Sequence, residues 1–133
     1  MKRIICLLLL FFTLCGCTGR VSNGIEICIE KSSMINFYEE DGTVHIICKI
    51  TLYNTTDKNV TVRINGFSQE DVDTGLLSNP YLSGINAAEQ SDLFLVLAGQ
   101  YSEFLVDFCG KYGGGLQKQD RLVPDLIEIE EVG

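Results

Sequence analysis

The sequence predicts a mainly β fold: an antiparallel β-sandwich with one short helical insertion. Three observations carry that expectation. Apolar and polar residues alternate in Val44–Tyr53 and again in Val60–Ile64, with β-branched side chains at the alternating positions. Turn-forming clusters such as Glu39-Glu40-Asp41-Gly42 and Asn54-Thr55-Thr56-Asp57-Lys58-Asn59 separate the strands, at the spacing of roughly 8–12 residues typical of sandwiches. One stretch breaks the rhythm, opening on Ser68 and closing on Asn79-Pro80.

The first strand is Ile25–Glu30, whose apolar face is Ile25, Ile27 and Ile29. Asp41-Gly42 then supplies the strongest local hairpin signal. In Val44–Tyr53 the inward positions are Val44, Ile46, Cys48, Ile50 and Leu52; His45, Ile47, Lys49, Thr51 and Tyr53 face outward. Residues 69–77 read as one or two helical turns. Ser68 stands at the N-cap, and Glu70, Asp71 and Asp73 sit where the helix macrodipole favours negative charge. Strand character returns at Leu93–Leu97. Ala98-Gly99-Gln100 makes a turn into Glu103–Cys109, where Phe104, Val106 and Phe108 point inward and Leu105, Asp107 and Cys109 outward. The chain closes on Leu126–Glu130, an edge strand whose carboxylates discourage edge-to-edge pairing.

The 133 residues suffice for one cored domain. Lys2 and Arg3 precede all 18 acids, so the chain from Cys17 onward holds eight basic residues against 18 acidic ones, a net −10. That balance disfavours nucleic acid, or an anionic membrane surface, as a partner. The leader joins a basic Met1-Lys2-Arg3 to an apolar run from Ile4 to Leu14. Eleven residues at about 1.5 Å each reach roughly half-way across a ~30 Å hydrocarbon core, which fits a secretory signal better than a spanning helix.

Leu14-Cys15-Gly16-Cys17 follows, and resembles the lipobox of bacterial lipoproteins, although Cys15 stands where Ala, Ser or Thr is more usual. The resemblance implies a signal peptide over 1–16, lipidation of Cys17 with palmitate-type chains, and a short tether over 17–24. A sandwich domain over 25–133 would then be held on the extracytoplasmic side of a cell membrane. Two or three acyl chains anchor firmly, since each buried methylene contributes about 0.8 kcal/mol. Two matches to the N-glycosylation pattern, at Asn54 and Asn59, read as turn and strand residues in such a chain.

Cys6 and Cys15 would leave with the leader, so Cys28, Cys48 and Cys109 remain beside Cys17. Cys48 falls on an inward position. Cys28 and Cys109 fall on outward ones, so parity favours a Cys28–Cys109 disulfide if any forms; three free thiols is the alternative.

Ile50–Val62 and Leu95–Phe108 resemble, in that order, the strand–turn–strand and the later hairpin of bacterial immunoglobulin-like domains. The first has an aliphatic strand, Asn54, a polar turn and a valine-rich strand, and the second has Leu-x-Ala-Gly in its turn. The resemblance implies an immunoglobulin-like sandwich in the envelope; it names no ligand and no reaction.

His45 is the sole histidine, and no Gly-x-Ser-x-Gly elbow accompanies it. The spacing provides neither Cys-x-x-Cys nor a Cys/His zinc pattern, and no phosphate loop, so neither a metal nor a cofactor is expected. The acidic clusters at 39–41 and 70–73 read as solvated faces. Lys111, Tyr112, Lys118 and Arg121, in and around a Gly-rich stretch, are the candidate binding loop for an envelope protein partner. The expectation is a non-enzymatic binding or interaction module. The alternative is an envelope hydrolase, or an accessory subunit of one, using Asp/Glu or His45.

Overall fold

A computed structural model of the chain describes residues 21–22, 24–115, 124 and 126–132. The expected signal peptide, Cys17, Lys118 and Arg121 lie outside these residues. The described chain is mainly β: β1 (Val21–Ser22), β2 (Ile25–Ile27), β3 (Ser33–Glu40), β4 (Thr43–Asn54), β5 (Val60–Phe67), β6 (Tyr81–Asn86), β7 (Phe94–Val96), β8 (Tyr101–Lys111) and β9 (Leu126–Glu131). One short helix, α1 (Gln69–Asp73), is inserted between β5 and β6. Every strand pairing is antiparallel.

β4 is the spine. Its alternation buries Val44, Ile46, Cys48, Ile50 and Leu52 almost completely. Along its whole length it pairs with β8, from Thr43↔Lys111 to Tyr53↔Tyr101. Its other edge is shared, with β3 along one half and β2 at the far end. β5 is the second spine, flanked by β9 on one side and by β6 and β7 on the other. The two halves meet through β6, whose first residues pair with β5 and whose last pair with β8. The sheet thus doubles back on itself as a sandwich closed along one side, and both layers feed one core. Phe94 of β7 packs edge-on against Phe104 of β8, with ring centroids 5.2 Å apart.

Local chemistry explains the connections. Asp41 and Gly42 both take positive φ, 52° and 83°, the pair of left-handed residues that a tight hairpin turn requires. They join β3 to β4 at the Glu40↔Thr43 pair. After β4 the side chain of Asn54, wholly buried, staples the next turn. Its amide nitrogen donates to the carbonyls of Lys58 (2.7 Å) and Val96 (3.1 Å). Its oxygen accepts from the backbone N–H of Thr56 (2.9 Å) and from the Thr56 hydroxyl. Asn54 is a structural residue with no surface for a glycan.

Five elements differ from the expectation. The first strand stops at Ile27, and a 3-10 turn over Ile29–Lys31 replaces the rest. That break inverts the side-chain parity, so Cys28 is buried and Ile29 is exposed, the reverse of the faces that alternation assigned. β1, β3 and β6 occupy stretches where no strand was expected, β1 falling within the expected tether. β3 is an edge strand with no fully buried residue and a bulge between Met34 and Asn36. Pairing with β4 satisfies its backbone without a continuous apolar face. Finally, the helix covers five residues rather than nine. Ser68, at its N-cap, is buried and donates its hydroxyl to Asp71 at 2.6 Å.

Candidate functional site

The outer face of the β3–β4–β8 layer carries the chemistry. Residues opposite one another on adjacent antiparallel strands stand about 4.5–5.5 Å apart at Cβ. The register sets Tyr38 of β3 opposite His45 of β4, and His45 opposite Cys109 of β8. Asp107 lies one outward position from Cys109 along β8, diagonal to His45. Val44, Ile46, Val106 and Phe108 on either side point into the core, and this alternation fixes the four polar side chains on one surface.

His45 Nδ1 sits 2.9 Å from Asp107 Oδ2 and 3.1 Å from Oδ1, with both side chains about four-fifths covered. The same nitrogen lies 3.5 Å from Cys109 Sγ. The network fixes the tautomer: the carboxylate accepts, so Nδ1 bears the proton. The thiol in turn approaches the backbone carbonyl of Asp107 at 3.7 Å. Tyr38 stacks on the imidazole with a centroid distance of 4.7 Å and an interplanar angle of 14°.

Two groups titrate abnormally here. Burial, followed by the charge and hydrogen bonding of Asp107, pushes the Cys109 thiol up to about 12. Partial burial, then the carboxylates of Asp107 and Glu40 and the neighbouring Cys109 sulfur, raise the Tyr38 hydroxyl above its usual value. In the core, burial alone pushes Cys48 up to about 12.

The expected site residues distribute unevenly. Lys111 is exposed at the end of β8, while Tyr112 turns inward, half-buried against the core, its N–H donating to Gly42 O. The Cys28–Cys109 disulfide does not form: Cys48 and Cys109 carry free thiols, whereas Cys28 is disulfide-bonded. The register explains the failure. Cys28 N–H donates to Thr51 O and Cys109 pairs with His45, six positions away along β4. At about 3.3 Å per residue that is roughly 20 Å, against the ~7 Å Cα limit of a disulfide. The acidic clusters serve local structure. Glu39 accepts from Gly42 N–H in the hairpin, Asp71 binds Ser68, and Asp73 accepts from Gln69.

No family model, curated protein or solved structure matches this chain. His45, Asp107 and Cys109 were each placed outward by alternation. What sequence reasoning missed is that they converge, because convergence depends on the β4–β8 register across 62 and 64 residues of chain.

Proposed function

We propose that this chain is a non-enzymatic envelope lipoprotein, anchored through Cys17, whose immunoglobulin-like sandwich acts as a binding or interaction module. The leader and lipobox motif support the anchor. The binding role rests on one observation: Asp107 and Cys109 both address the same imidazole nitrogen.

That geometry favours a binding role over the competing reading, a hydrolase built on His45. In a thiol–imidazole–carboxylate triad the carboxylate orients one ring nitrogen so that the other takes the nucleophile's proton. Here Nδ1 already bears the proton shared with Asp107 and has no lone pair for the thiol, while Nε2 lies on the far side of the ring. The thiol at about 12 is also the opposite of an activated nucleophile. The four side chains sit on a sheet face, an arrangement suited to holding a ligand.

Alkylation of Cys109 tests the reading. On the folded chain at pH 8, iodoacetamide is expected to modify Cys109 at least about 100-fold more slowly than a free thiol of ordinary pKa near 8.5. Asp107→Asn removes the repelling charge and accelerates the reaction. Modification faster than a free thiol, abolished by His45→Gln, would establish an activated nucleophile and overturn the binding-module reading.

A further inference from the structure

We propose that His45 Nδ1, a carboxylate oxygen of Asp107 and Cys109 Sγ form a three-ligand site for one zinc ion on the outer face of β4 and β8. This deepens the binding-module reading by naming its ligand class. The three atoms all lie within 4.8 Å of one another.

Zinc holds sulfur at about 2.3 Å, imidazole nitrogen at about 2.0–2.1 Å and carboxylate oxygen at about 2.0–2.2 Å, in tetrahedral array. Those bond lengths require a sulfur–nitrogen separation of about 3.6 Å and a nitrogen–oxygen separation of about 3.3 Å. The observed Nδ1–Sγ distance is 3.5 Å, already at the required value. The Nδ1–Oδ2 distance is 2.9 Å because a proton now occupies the line between them, and an aspartate rotamer adjustment of a few tenths of an ångström opens it.

The ligand set also suits the ion's chemistry. A thiolate, an imidazole and a carboxylate are a borderline-soft combination that favours zinc over the hard, oxygen-seeking calcium and magnesium. Thiolate and carboxylate together supply two negative charges, matching the charge of the cation. On binding, the Cys109 thiol loses its proton to water. The metal replaces the Nδ1 proton, and Nε2 takes one up, so the imidazole stays neutral. One proton is released per ion.

The supports are rigid. His45 and Cys109 are direct cross-strand partners in the long β4–β8 pairing, and Tyr38 fixes the ring plane by stacking. Such outer-shell contacts orient a ligating histidine. Three protein ligands leave the fourth position for water or for a donor from a bound partner.

Cobalt(II), which takes the same tetrahedral geometry and is coloured, tests the proposal on the detergent-solubilised full chain, kept reduced. Titration is expected to saturate at one ion per chain, with a thiolate-to-cobalt charge-transfer band and the intense visible bands of a four-coordinate site. Zinc should displace the cobalt and bleach both. Cys109→Ser removes the charge-transfer band. Asp107→Asn and His45→Gln each weaken binding at least about tenfold, judged against an unchanged near-ultraviolet circular dichroism spectrum. Asp92→Asn, an acid paired with Arg63 elsewhere, changes nothing. Absence of the charge-transfer band on the wild-type chain, or its survival in Cys109→Ser, overturns the site. That outcome leaves the binding-module reading standing, whereas fast His45-dependent alkylation removes that reading whatever the cobalt spectrum.

Discussion

Asn54 shows how one side chain holds two connections at once. Its amide bridges the Asn54–Lys58 turn to the β7 carbonyl of Val96, and its oxygen gathers both hydrogen-bond donors of Thr56. All of this happens with the residue wholly buried, so nothing but protein can replace the lost partners. An unmet buried hydrogen-bonding group costs about 1–3 kcal/mol. Asn54→Ala is therefore expected to destabilise the fold by about 2–4 kcal/mol, read as a lowered urea midpoint with unchanged slope. Asn54→Asp is the sharper variant. It keeps the acceptor for Thr56 but turns a carboxylate toward two carbonyl oxygens, so it should be at least as damaging as alanine. A near-neutral Asn54→Asp would mean that the turn is held by its backbone alone.

Among the elements, β6 decides the architecture, because it is the strand through which the two layers become one sheet. Gly84 marks the switch from β5 to β8. A Cβ built there would fall 1.9 Å from the carbonyl oxygen of Ile64 and 3.0 Å from its carbon. Backbone cannot step aside as a side chain can, so Gly84→Ala must prise β6 from β5. The expected loss is more than about 3 kcal/mol, which in a domain of this size lowers Tm by roughly 10 °C or more. Gly42→Ala is the comparison. Open space surrounds its Cβ and only the positive φ of 83° opposes it, for about 1–2 kcal/mol. Equal losses in the two variants would show that strand approach at Gly84 is not what fixes the corner. The same contrast explains which elements were legible. β4, β5 and β8 bury alternate side chains and so write their period into the sequence. The Asp41-Gly42 turn is equally plain, since few residue pairs tolerate two positive φ angles. β3 and β6 owe their form to hydrogen bonds with neighbours and carry little pattern of their own. Cys28 was misplaced for a related reason: a 3-10 turn at Ile29 breaks the two-residue period, and nothing in Ile25–Glu30 signals it. The candidate site was half legible. Alternation turned His45, Asp107 and Cys109 outward, but only the β4–β8 register, a property of tertiary pairing, brings them together.

At the scale of the whole molecule, the proposed lipid anchor and the disulfide of Cys28 make different demands on the cysteines of the chain. The 133-residue chain holds six cysteines, of which Cys6, Cys15 and Cys17 lie in or directly after the proposed signal peptide. Cleavage before Cys17 and formation of a thioether there would remove all three as thiols. A chain processed in that way would retain only Cys28, Cys48 and Cys109, and the disulfide of Cys28 would have to be absent from it. In that form Cys28 becomes a buried thiol, which its position beside the core accommodates. Two measurements on the protein isolated from membranes follow. A fatty-acid analogue supplied during growth is expected to label the wild-type chain and not Cys17→Ser. Alkylation after denaturation without reductant should add three groups to the labelled chain, one at each remaining cysteine, and intact mass should show the leader gone. A peptide linking Cys28 to Cys17 would mean that the thiol meant for lipid had been spent on a crosslink, and a mass retaining Cys15 would mean that cleavage before Cys17 had not occurred. The membrane anchor would then fall. The acidic sandwich, with its net −10 from Cys17 onward, would be left to find its place by a partner of opposite charge.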